Sequence, residues 1–144
     1  MMKFVKYTHL LLLLFLFACE GDNINNNNPF LPNFSFQVTI NTSFPLYSPL
    51  QFPGNAVIVN EVNAGILGLV VFNSGSGIFA YDLACPNQTL SSCSTMTLQG
   101  IEVKCPCDEA TYNLFTGLPS DPQLRYPLRR YRVEVAGATI RIFN

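Results

Sequence analysis

Phe34, Phe36, Val38 and Ile40 alternate one for one with Ser35, Gln37 and Thr39. That period of two belongs to a strand with one face buried. Residues 56–59 and 68–72 are unbroken apolar runs, too short for helices and bounded by turn residues, so they read as buried strands. Asn73-Ser74-Gly75-Ser76-Gly77 is a strong turn, after which residues 78–81 resume the sheet. The last hairpin is the clearest: residues 131–135 and 139–142 alternate polar with apolar around Ala136-Gly137-Ala138. The stretch 47–53 carries Pro49 and Pro53 and reads as loop or edge. No stretch has a helical period with caps. The pattern predicts an all-β domain of short antiparallel strands, a sandwich or small barrel.

The first 18 residues follow different rules. Lys3 and Lys6 precede the continuous apolar run 10–17, which is too short to span a bilayer and reads as a secretory signal. Leu16-Phe17-Ala18-Cys19 resembles a bacterial lipobox, which implies cleavage before Cys19 and lipid on that residue. Residues 19–32 include the run Asn25-Asn26-Asn27-Asn28, have no apolar period, and are expected to form a flexible tether. Glu20 and Asp22 behind Cys19 resemble export signals of Bacteroidetes-type lipoproteins, implying attachment to the outer membrane. Residues 33–144 then form one domain, held to the membrane by lipid without spanning it.

Charge and cysteine usage narrow the chemistry. Lys3 and Lys6 fall in the leader, which leaves six of the eight basic residues against all nine acidic ones. That balance excludes the basic stripe a nucleic-acid partner needs. His9, the one histidine, also lies in the leader, so the domain has no Ser-His-Asp set. It has no Gly-rich phosphate loop and no inward carboxylate pair either, and an enzyme is not expected. Beyond Cys19 there are four cysteines, at 85, 93, 105 and 107. In an exported protein the default for such a set is disulfides.

Two of these cysteines open recognisable loops. Cys85-Pro86-Asn87 and Cys105-Pro106-Cys107-Asp108 resemble the two cluster-binding loops of the Rieske iron–sulfur (ISP) domain family. The flanking segments resemble it in the same order: residues 79–86 entering the first loop, 103–107 entering the second, Tyr112-Asn113-Leu114-Phe115-Thr116-Gly117 after it, and 127–133 with the closing hairpin. The resemblance implies a Rieske-like fold with the two cysteine loops at one end. It puts Cys85 and Cys105 on the cysteine ligands of a 2Fe–2S cluster. Cys107 falls on an extra cysteine that forms a bracing disulfide in part of the family, with Cys93 its partner.

The same resemblance shows what is missing. A Rieske centre holds one iron by two cysteines and the other by two histidines, whereas Asn87 and Asp108 occupy the histidine positions here. Glu109 also replaces the glycine that follows the second histidine. An amide is a poor iron donor, and a carboxylate is an acceptable one. The expectation is that the cluster is lost and no cofactor is bound, with Cys85–Cys105 and Cys93–Cys107 as disulfides and the domain serving as a binding or structural module. The rival is an electron carrier whose cluster uses Cys85, Cys105 and Asp108. A four-thiolate cluster, a zinc site, a redox-active Cys105-Pro106-Cys107 beside Lys104, and the pairing Cys85–Cys93 with Cys105–Cys107 remain open on the residues alone.

Three other groups have two readings each. Tyr81, Tyr112 and Tyr131 suit either a binding platform or the core, and core is expected. Arg125, Arg129, Arg130 and Arg132 suit an acidic partner or plain solvated surface, and surface is expected. Asp82, Asp108 and Glu109 suit a cation site at the loop tips or simple solvent exposure, and exposure is expected.

Overall fold

A computed structural model describes residues 27–144. The leader, Cys19 and the tether as far as residue 26 lie outside the described residues. Among the described residues nine strands form two antiparallel sheets: β1 (Gln37–Asn41), β2 (Ala56–Val59), β3 (Leu69–Asn73), β4 (Ile78–Asp82), β5 (Thr97–Gln99), β6 (Glu102–Lys104), β7 (Thr111–Asn113), β8 (Arg130–Ala136) and β9 (Thr139–Phe143). The larger sheet has six strands in the order β1-β9-β8-β4-β3-β2, and the smaller has three in the order β5-β6-β7. Among the described residues no helix is long and apolar enough to cross a membrane.

The alternation at 34–40 works as predicted: Phe36, Val38 and Ile40 are buried while Ser35, Gln37 and Thr39 are exposed. Ladder pairing begins only at Gln37, opposite Phe143. Strand β8 joins two parts of the large sheet. Its first residues pair with β4 through Ala80↔Tyr131 and Tyr81↔Arg130, and from Arg132 onward it pairs with β9.

Strand β3 explains why its sequence is apolar throughout rather than alternating. Leu69 and Val71 join one core with Val38, Ile40, Tyr131 and Ile142. Val70 and Phe72 point the other way into a second core with Leu83, Val103, Tyr112 and Leu114, which lies between the two sheets. A strand buried on both faces has no polar face to show.

Asp82 ends β4 at the junction of these cores, and it corrects the reading of an exposed loop-tip acid. Its side chain is 0% exposed. The carboxylate accepts from the backbone N–H of Ile66 (2.6 Å), Ala84 (2.7 Å) and Leu67 (3.3 Å) and from the Tyr131 hydroxyl (2.8 Å). It ties the 65–67 turn, the exit of β4 and the start of β8 together. Gly65, with φ 71°, sits so close that a Cβ there would stand 2.6 Å from Asp82 Oδ2.

Arg129 likewise departs from the solvated surface expected of the arginine group. It is 4% exposed and donates to Leu31 O (3.0 Å), Pro32 O (2.9 Å) and Asn33 Oδ1 (2.6 Å). The end of the stretch read as tether, residues 28–32, therefore lies packed on the domain, with Leu31 buried. Two carbonyls of that segment and the Asn33 side chain accept from the Arg129 Nη atoms, while the buried Nε has no hydrogen-bond partner among the described residues; these bonds outweigh the segment's weak local propensity.

Candidate functional site

Both cysteine loops hang from the ends of short strands at one end of the molecule. The first leaves β4 and returns to β5, closed by Cys85 N–H to Ser94 O (2.8 Å) and Met96 N–H to Leu83 O (2.7 Å). The second connects β6 to β7, closed by Cys105 N–H to Ala110 O (2.8 Å). The smaller sheet that carries the second loop was not legible as an element, because its strands are three residues each. Three residues are too few to display a period.

The four sulfurs are joined in two bridges, Cys85–Cys105 and Cys93–Cys107, with Cα separations of 5.6 and 5.3 Å. The Cys93–Cys107 bridge is the one that the family resemblance implied, and Cys85–Cys105 is the one expected where those two cysteines hold no iron. The first bridge is buried in the second core; in the other, Cys93 is exposed and Cys107 half-buried. The bridges adjoin, since the Sγ atoms of Cys85, Cys105 and Cys107 all lie within 4.8 Å of one another. The Gln88 side chain donates from Nε2 to Cys105 Sγ at 3.2 Å.

Asn87 has a structural role that its reading as a vacated ligand position did not foresee. Its Nδ2 donates to Tyr126 O (2.7 Å) and to the Tyr112 hydroxyl (3.0 Å), while its Oδ1 accepts from Tyr126 N–H (2.9 Å). The amide thus pairs with a backbone donor and acceptor at once and fastens the first loop to the 121–128 segment. Tyr112 beneath it is fully buried, and burial pushes its hydroxyl pKa up. Tyr81 and Tyr131 are buried as well, so all three tyrosines belong to the core.

Asp108 is exposed and accepts from Ala110 N–H (3.1 Å), capping its own turn. Glu109 holds the left-handed conformation, φ 63°, which glycine adopts without strain, and it ion-pairs with Lys104. Asn28 Nδ2 reaches Pro86 O at 2.7 Å, and Phe30 meets Tyr126 edge-on at 5.9 Å, so the N-terminal segment packs against this same end.

No protein-family model matches the chain. The ferredoxin CarAc of Metapseudomonas resinovorans is 32% identical to it over 83 residues, which cover 58% of this chain and 75% of that protein. The chain belongs to the Rieske-type domain family. The plasma membrane Rieske protein PetC3 from Synechocystis PCC 6803 has the same fold: the match covers 73% of this chain and 97% of that one, with 20% identity and a TM-score of 0.51. The Rieske-type domain thus has a ferredoxin among its relatives.

The residues of this Rieske-type domain do not fit a 2Fe–2S centre as they stand. Cys85 and Cys105, which the sequence resemblance put on the ligand positions, bond each other. Asn87 directs both ends of its amide to Tyr126, and one oxygen of Asp108 accepts from its own turn. The described domain holds no imidazole to complete the set.

Proposed function

We propose that this protein is an exported, lipid-anchored Rieske-type domain that has lost its cluster and acts as a disulfide-stapled binding or structural module. One observation carries the reading: the two sulfurs that would hold iron are bonded to each other, beside an asparagine committed to the backbone of Tyr126. Cross-linking across the two loops replaces the constraint that a metal would supply, and each bridge contributes on the order of 3 kcal/mol in the chain-entropy model.

The anchor at Cys19 rests on the lipobox-like tetrapeptide and the acidic residues behind it. The packed N-terminal segment gives it a geometric consequence. Only eight residues lie between Asn28, bonded to Pro86, and Cys19, a reach of at most about 30 Å for extended chain. An anchored domain would therefore keep its cysteine end towards the membrane, on our reading the bacterial outer membrane.

Iron analysis and a visible spectrum of the protein purified from exported material test the cluster-free reading. Colourless, iron-free protein is expected, and a brown protein with iron and acid-labile sulfide would overturn it. For the anchor, Cys19→Ser should move the protein out of the membrane fraction. The second reading, an electron carrier with non-standard ligation, is favoured by the ferredoxin relative, and the same spectrum decides between them.

A further inference from the structure

The two bridges differ in access yet adjoin. A reagent in solvent reaches Cys93, which is exposed, whereas Cys85 and Cys105 are 1% and 0% exposed. Cys107 belongs to the outer bridge, and its Sγ lies within 4.8 Å of both inner sulfurs. Polar groups surround each sulfur that would carry charge if a bridge opened. Ser91 Oγ lies 3.2 Å from Cys93 Sγ and 3.6 Å from Cys107 Sγ, and Ser94 Oγ lies 3.8 Å from Cys107 Sγ. Gln88 Nε2 already donates to Cys105 Sγ. Disulfides exchange by attack of a thiolate on a bridge sulfur, with the other sulfur leaving as thiolate, and hydrogen-bond donors at the leaving sulfur favour its departure.

We propose that the cysteine cluster is a thiol–disulfide exchange site, in which an external dithiol opens Cys93–Cys107 and the released Cys107 then exchanges into the buried bridge. The proposal rests on the reading that these sulfurs hold no cluster. In the first step one thiolate of the dithiol attacks Cys93 Sγ. The Cys93–Cys107 bond breaks, and its electron pair leaves on Cys107, where the Ser91 and Ser94 hydroxyls meet it. The second thiol of the reagent resolves the mixed disulfide, so the reagent departs as its own disulfide and Cys93 is left as a thiol. Two electrons have then passed from the dithiol to the protein.

The next step is an isomerisation and needs no further reductant. The Cys107 thiolate attacks Cys85 Sγ, the Cys85–Cys107 bond forms, the Cys85–Cys105 bond breaks, and Cys105 leaves as thiolate facing the Gln88 amide. Attack on Cys105 instead would close a bridge across Pro106 alone, a span too short for relaxed disulfide geometry. Gln88 and that short span both select Cys85 as the sulfur attacked. The product has a Cys85–Cys107 bridge with Cys93 and Cys105 free. The first loop is then held to the second through a different bond, and a new thiol stands at its exposed bend.

The test is stoichiometric reduction of the purified protein, shown beforehand to be colourless and iron-free, with one equivalent of dithiothreitol. The product is trapped with N-ethylmaleimide and mapped by peptide mass spectrometry. Label on Cys93 and Cys105 with a Cys85–Cys107 bridge is the expected result. Label on Cys93 and Cys107 with Cys85–Cys105 intact would overturn the exchange step. Cys93→Ser supplies the free Cys107 thiol without any reductant. In it, label should fall on Cys105 at least several-fold more than on Cys107, and adding Gln88→Leu should return it towards Cys107. Label confined to Cys107 in Cys93→Ser would again overturn the proposal, and if that variant does not fold, the wild-type map decides. Brown, iron-bearing starting material would instead defeat the cluster-free reading, and this proposal with it.

Discussion

Asn87 and Tyr126, 39 residues apart in sequence, exchange two hydrogen bonds between one side-chain amide and the N–H and C=O of one residue. The side chain acts as a short piece of strand, donating to the Tyr126 carbonyl and accepting from its N–H. The amide thereby fastens this end of the first cysteine loop to the 121–128 segment.

Removing that amide leaves a partly buried donor and acceptor on Tyr126 without partners. Asn87→Ala should cost about 1–3 kcal/mol in a denaturant melt. Asn87→His should also destabilise, because an imidazole donates and accepts in different directions and cannot reproduce the paired geometry. A His variant as stable as the parent would show that the pairing contributes nothing.

Asp82 gives a pH dependence with a defined sign. Burial raises its pKa above the ordinary 3.8, against the opposing effect of the Ile66, Ala84 and Leu67 N–H groups and the Tyr131 hydroxyl. The folded state therefore holds its proton more tightly than the unfolded chain. The resulting stabilisation is fully present below pH 3.8 and is lost as pH rises through the higher folded value. Asp82→Asn removes this slope between acid and neutral pH. It also turns an amide NH2 towards backbone donors, costing about 2–4 kcal/mol at neutral pH. Parallel pH–stability curves for the two proteins would contradict this assignment.

Arg129 holds the segment before β1 by three acceptors. Arg129→Met keeps much of the volume but removes every donor, and should cost about 2–3 kcal/mol. Limited proteolysis should then cut within residues 28–33, which the parent protects. Protection equal to the parent would mean that Leu31 and its neighbours hold the segment by packing alone.

Glu109 adopts the left-handed region without being glycine. Glu109→Gly relieves that conformation and forfeits only an exposed ion pair with Lys104, so a net gain of roughly 0.5–1 kcal/mol is expected. A loss in melting temperature would assign more weight to the ion pair than surface pairs ordinarily carry.

Much of the large sheet is legible in the sequence, because Phe36, Val38 and Ile40 announce their buried face by period alone and the 139–142 arm repeats the signal. Strands β5 to β7 are not, since three-residue strands carry no period and are recognised only by their partners. The Cys93–Cys107 bridge followed from resemblance to a family, and Cys85–Cys105 from that resemblance together with the expected loss of iron; spacing alone left other pairings open. Asn87 could be read only as a missing histidine, because its partner Tyr126 lies far away in sequence. Arg129 and Asp82 depart from expectation for a related reason: charge predicts exposure unless a residue's partners are known, and most of theirs are backbone groups that no sequence pattern marks.

The state of the four sulfurs downstream of Cys19 decides whether this Rieske-type domain stands on sulfur bridges or on iron. The measurement is the intact mass of exported protein after alkylation in denaturant without reductant. No alkylation at Cys85, Cys93, Cys105 or Cys107 is expected, with four adducts appearing only after reduction. Adducts at Cys85 and Cys105 in the unreduced protein, accompanied by iron, would mean that those two cysteines hold a cluster after all.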